Sequence, residues 1–119
     1  MKSKVFWIVE LDILEQDKTK IELFMKDVFE AAIMDEKGTL SNEWFITEDF
    51  TKCTMIDRYS DNDSVLAHLS IFAEKFNERF NSYFKLTRFV VYGEPNESVK
   101  NAVAGFNPIY MPHYAGFEK

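Results

Sequence analysis

Cysteine occurs once in the chain, as Cys53, so no intrachain disulfide is available, and a lone thiol in a strand-like run reads as buried and inert. That usage fits a reducing compartment, and a cytoplasmic location is expected. Glycine is scarce: four residues are scattered through the chain, and none forms a GxGxxG or GxxxxGK loop to cradle phosphate. The two histidines, His68 and His113, stand without a CxxC or HExxH pattern and would make a poor zinc site, so no metal is expected. No nucleophile elbow appears. Positive charge is in deficit, with 14 Lys and Arg against 20 Asp and Glu for a net charge of −6. That balance argues against a nucleic-acid backbone or an anionic membrane surface as partner. Long apolar runs are missing too. Glu10 and Asp12 interrupt the opening "MKSKVFWIVELDI" before signal-peptide length, and no segment approaches the roughly 20 apolar residues that span a bilayer.

What the chain has in quantity is aromatic and apolar side chains: 46% of residues are hydrophobic and 16% aromatic, including 12 Phe. With no repeat, linker or low-complexity stretch, its 119 residues form one domain, 1–119. Residues 4–13 are β-branched and aromatic and read as a strand. In the next segment Ile21, Phe24, Met25, Val28, Phe29 and Ala32 recur at helical spacing, with Asp17 as cap and Gly38 beyond the end. "TLSNEWFITE" and "KCTMIDRYS" make a hairpin around "DFT". A second helix follows over residues 61–83 with Ser60 as its N-cap, and residues 85–94 are the fourth strand. "PNESVKNAVAG" makes a short helix, and residues 106–119 an irregular or extended tail. The carboxylates in "DNDS" and "TEDF" fall at turns and helix starts, where capping explains them.

The order β-α-β-β-α-β is that of a ferredoxin-like α+β fold, a four-stranded antiparallel sheet with both long helices on one face. Strand one alternates Val5, Trp7, Val9 and Leu11 against Phe6, Ile8, Glu10 and Asp12, and strand four is apolar on both sides as well. A sheet open to water on one face should not look like this. A second copy covering the helix-free face, in a symmetric homodimer, is the economical solution; the aromatic tail, folded back or crossing to the partner, is the alternative.

On the second helix Val65, Leu69, Phe72, Phe76, Phe80 and Tyr83 form one apolar stripe, and His68 falls at its border. There the ring serves either as a structural residue or as a carrier of protons near neutrality. Asn42, Trp44, Arg58, Tyr59, Arg88 and Tyr92 come near it in the expected fold. A Tyr, Asn or Trp among them could hold an oxygen that becomes negative. The alternation sets Asn42 and Trp44 on the face opposite Glu43 and Phe45. Arg58 and Arg88 are equally explained by ion pairs with Asp57, Glu43 or Glu10, and Trp44 and Tyr59 by packing.

The strings "EKGTLSNEWF", "MIDRYSDNDSVLAHL", "TRFVVYGEP" and the closing "YAGFEK" together resemble the antibiotic biosynthesis monooxygenase family, the quinol-monooxygenase-like branch of the dimeric α+β barrels. The resemblance implies a homodimer with a pocket between sheet and helices in each subunit. Enzymes of that family oxidise small aromatics such as quinols and anthrones with molecular oxygen and no metal, flavin or haem, so no cofactor is expected. It also implies roles: His68 as base or proton shuttle, Tyr59 or Asn42 on the oxyanion, Trp44 and Phe72 stacking the ring, with Arg58, Arg88 and Tyr92 around the substrate. Strand one lacks the Asn, and helix two the Trp, of the haem-degrading relatives. A non-catalytic dimeric protein that binds a small ligand or a partner on the same fold is the alternative function, and an isomerase or hydrolytic decarboxylation-type role, using the same pocket for proton transfer, a third.

Overall fold

Alternation along the first strand is met in a computed structural model describing residues 5–119; Lys4, placed in that strand by its sequence, lies outside the described residues. Strand β1 (Val5–Ile13) buries Val5, Trp7, Val9, Leu11 and Ile13 and leaves the residues between them partly exposed. Helix α1 (Lys18–Asp35) starts where the Asp17 side chain accepts the Thr19 N–H, 3.0 Å away, and buries Ile21, Phe24, Val28 and Ala31. Strands β2 (Thr39–Ile46) and β3 (Lys52–Tyr59) form the expected hairpin, and strand β4 (Phe84–Gly93) pairs with β1. Among the described residues no helix is long and apolar enough to cross a membrane.

Three expectations are corrected. The sheet has five strands, ordered β2-β3-β1-β4-β5, and is mixed rather than wholly antiparallel. After helix α4 (Glu97–Val103) and a 3-10 turn at Ala104–Phe106, residues Ile109–Met111 form β5, parallel to β4 from Val90↔Ile109 to Tyr92↔Met111. A short helix between two strands is a crossover, which returns the chain parallel, and β5 pairs part of an edge that would otherwise stand open. The second helix is also two. Helix α2 (Asn62–Lys75) and helix α3 (Asn77–Tyr83) meet at Phe76, whose φ of −123° leaves the helical well although its N–H still reaches the Phe72 carbonyl at 2.9 Å. No Pro or Gly marks the break. The turn it introduces leaves Phe72 and Phe80 edge to face, 5.1 Å apart, over the core. The α2 N-cap is Asp61, which accepts the Ser64 N–H at 2.8 Å, rather than Ser60.

The helices lie over the face that carries Trp7, Val9, Met55, Asp57, Leu86 and Phe89. On the opposite face the register aligns Glu43, Ile56, Ile8, Val90 and Ile109 in one row across all five strands, and Arg58, Phe6, Tyr92 and Met111 in the next. Phe45, Ile109 and Met111 stand exposed there.

Candidate functional site

A cavity of about 70 Å³ opens between the sheet and α2, lined by Trp7, Val9, Met55, Asp57, His68, Leu69, Phe72, Phe80, Leu86, Phe89 and Phe106. Two of these side chains ionise, Asp57 and His68. An apolar cavity of ~150 Å³ takes up benzene, so at about 70 Å³ this one admits a ring only when a wall residue yields. Phe106, which rests edge-on against Phe89, is 41% exposed and is the wall residue freest to do so.

Asp57 points inward because β3 alternates, on one side, Cys53, Met55, Asp57 and Tyr59, all buried. A carboxyl this deep must be met by donors. The Trp7 indole N–H donates to its Oδ2 at 2.8 Å, and the Asn42 amide donates to its Oδ1 at 2.5 Å. Trp44 in turn donates to the Asn42 oxygen at 2.6 Å. Burial pushes the Asp57 carboxyl up to about 6; the charge of His68 and the two N–H donors restrain the rise, while Glu36 adds to it. Burial, only partly offset by one indole and one amide, therefore leaves a carboxyl that changes charge near neutrality.

His68 is 8% exposed, deeper than its border position on the helical stripe suggested, because α2 turns Val65 and His68 together toward the sheet. Its ring packs between Tyr59, 5.3 Å away, and Phe72, 6.1 Å away. Its Nδ1 lies 2.7 Å from Oε1 of Glu36, which also accepts from the Thr39 hydroxyl at 2.8 Å. Burial raises the Glu36 carboxyl, but the hydrogen bond and charge of His68 and the Thr39 hydroxyl outweigh it, so its pKa lies below the ordinary value.

Of the residues singled out in the sequence, His68 and Phe72 line the cavity. Asn42 reaches it only through Asp57. Trp44 packs against Phe24, Phe29 and Phe84. Tyr59 is buried behind His68, its hydroxyl has no hydrogen-bond partner among the described residues, and burial beside Asp57 and Glu36 drives its pKa well above the ordinary value. Arg58, Arg88 and Tyr92 are corrected in position: the period of two puts them on the helix-free face. There Arg58 lies over Phe6, Arg88 pairs with Glu10 at 3.1 Å and Tyr92 stacks on Phe6. Asp57, Trp7 and Glu36 were not singled out as site residues. Alternation with Cys53 and Met55 could have flagged Asp57 as an inward carboxyl, whereas nothing periodic marks Glu36, which follows the end of α1. Cys53 is buried as expected, its thiol pushed up to about 12 by burial and by Asp57. No group of three or more His, Cys, Asp or Glu able to hold a metal ion occurs among the described residues.

No family model and no curated protein matches the chain. Solved structures do match it in fold. MupZ from Pseudomonas fluorescens is 19% identical, with a TM-score of 0.85 over 99% of this chain and 96% of that one. A Nitrosomonas europaea protein named provisionally as an antibiotic biosynthesis monooxygenase is 15% identical, with a TM-score of 0.60 over 79% of this chain and 93% of its own. A dimeric ferredoxin-like protein from an uncultured marine organism is 17% identical, with a TM-score of 0.55 over 81% and 99%. Likeness at these identities is one of fold, and it agrees with the resemblance carried by the sequence strings.

Proposed function

We propose that this chain, which shares its fold with those proteins, is an acid–base enzyme that oxidises a small electron-rich aromatic molecule, a quinol or anthrone-like phenol, with molecular oxygen and no bound cofactor. The observation that carries the reading is the pairing of one carboxyl, Asp57, with one imidazole, His68, in the wall of an otherwise apolar cavity. A ligand there sets its ring against Phe72 and Phe89 and turns one polar group toward Asp57 and His68. His68 removes a proton from that group or from the activated C–H beside it. The anion passes one electron to O2, the radical pair combines into a peroxide, and the O–O bond breaks as water leaves. One oxygen atom stays on the substrate carbon, and the other departs as water with two hydrogens lost by the substrate, both from the CH2 carbon of an anthrone, or one from the ring carbon and one from a hydroxyl of a quinol. The Asp57 carboxyl gives a proton to the departing oxygen, while the aromatic wall keeps bulk water from the intermediate.

Oxygen uptake with a panel of hydroquinones and anthrones tests this in wild type and His68→Ala. Uptake that drops on the order of 100-fold or more in the variant supports His68 as the base; equal rates remove it from the mechanism. Binding of the same compounds without any uptake returns the alternative, a ligand-binding protein that does not turn over. Asp57 favours one further reading: a carboxyl that titrates near neutrality also serves proton transfer without oxygen. Deuterium entering the compounds from heavy water with no oxygen consumed is its signature.

The assembly we assign is a homodimer joined through the helix-free face. The apolar rows support it, and so does the presence there of both charge signs, Glu10 and Glu43 with Arg58 and Arg88, which a two-fold axis can pair.

A further inference from the structure

Glu36 sits at the C-cap of α1, where its backbone N–H closes the last turn on the Ala32 carbonyl at 3.2 Å. Such a position needs no charged side chain, and a solvated one would cost less. This carboxylate is instead 5% exposed. Burying a charge is costly unless it is paired and hydrogen-bonded. Both conditions are met by two side chains, the Thr39 hydroxyl at 2.8 Å and His68 Nδ1 at 2.7 Å.

An ionised carboxylate accepts hydrogen bonds and donates none, so the imidazole nitrogen facing it must carry a hydrogen. In a neutral ring that leaves the other nitrogen, Nε2, with a bare lone pair. Nδ1 is engaged with Glu36, Nε2 has no hydrogen-bond partner among the described residues, and the ring forms part of the cavity wall. We infer that Glu36 is a positioning residue: it holds His68 in the Nδ1–H tautomer, with the Nε2 lone pair facing the cavity, and its charge faces the imidazolium that forms when His68 accepts a proton. The same restraint fixes the ring, since rotating it would break the bond to Glu36 and leave that carboxylate buried with Thr39 alone. The catalytic use of the arrangement rests on the reading proposed above; the tautomer does not, and is measurable without any substrate.

Nitrogen-15 spectra of the imidazoles in the full chain decide it, with exposed His113 as the internal reference. At a pH where the rings are neutral, His68 is expected as the Nδ1–H tautomer, with a low-field Nδ1–H proton close to Glu36. The Nε2–H tautomer, or an even mixture, in the wild type overturns the inference. Glu36→Leu is expected to release His68 toward the Nε2–H form, while Thr39→Val, which leaves Glu36 facing the ring, retains Nδ1–H. A Glu36→Leu protein that folds and keeps the wild-type tautomer also overturns it. Should that variant fail to fold, the wild-type spectrum and Thr39→Val decide alone. Where a quinol or anthrone is turned over, Glu36→Gln is expected to lower kcat about tenfold or more with KM little changed. A residue that merely ties α1 to α2 would leave kcat unchanged in a folded variant, and that result would likewise count against Glu36 as a positioning residue.

Discussion

Asp57 and Glu36 are both buried carboxyls, and their surroundings push them in opposite directions. Asp57 is raised from 3.8 to about 6, chiefly by burial, so the folded protein binds a proton there that the unfolded chain gives up. Its contribution to stability is present below the unfolded value near 3.8 and is lost as pH rises through about 6. Glu36, held below its ordinary 4.5, contributes above that value and loses its contribution as pH falls through the folded pKa. Asp57→Asn removes the first effect and keeps the second. Between pH 4 and pH 7, wild type is therefore expected to lose about 2 kcal/mol of stability relative to the variant, read from urea unfolding at the two pH values. Parallel pH profiles would show that Asp57 is ionised at no cost. At this scale the sequence was partly legible: the spacing of Cys53, Met55 and Asp57 turns the carboxyl inward, but which donors meet it depends on Trp7 and Asn42, 50 and 15 residues away.

At the scale of elements, the site depends on how closely the turn after α1 approaches the start of α2. Gly38 makes the contact possible: its carbonyl accepts the Ser60 N–H at 2.9 Å, and a Cβ at Gly38 would lie 1.7 Å from the Ser64 hydroxyl oxygen and 2.3 Å from Ser64 Cβ. Gly38→Ala must push the turn away from α2, at a cost of about 1–3 kcal/mol for overpacking. Because Glu36 lies two residues earlier, the same shift lengthens its bond to His68. Thermal unfolding is expected to fall by several degrees, with loss of the low-field His68 proton; an unchanged melting temperature would mean that the contact relaxes freely. The sequence read Gly38 as a helix stop, which its neighbours suffice to predict. Its closeness to Ser64 is a tertiary contact, and so is the break at Phe76, where no residue type announces it and the aromatic packing of Phe72, Phe76 and Phe80 decides.

For the whole molecule, the proposed homodimer stands on the helix-free face. Ile8 lies at the centre of its apolar row, between Ile56 and Val90. In a homodimer joined through this face Ile8→Lys buries a like charge from each chain and strips it of water, so the variant is expected to sediment as a monomer where wild type sediments as two chains. Helical content should be unchanged, since Ile8 faces away from α1 and α2. Wild type that sediments as a single chain at micromolar concentration would leave the apolar rows without an explanation. The tail belongs to this scale too: Ile109–Met111 completes the sheet, while Tyr114 is wholly exposed and Phe117 is 87% exposed.

By itself the sequence determined the order of the first four strands and the helical segments between them, the two faces of each strand and the inward side of α1, because periods of two and 3.6 are local and follow from backbone geometry. Hydrophobic patterning also placed His68 near the core. Tertiary structure alone decided that the tail adds a parallel strand, that the helices cover the face away from Arg58, Arg88 and Tyr92, and that Glu36 meets His68. Those outcomes depend on register and on contacts between distant segments, and a side chain's partner across 32 residues of chain leaves no mark on the pattern around it.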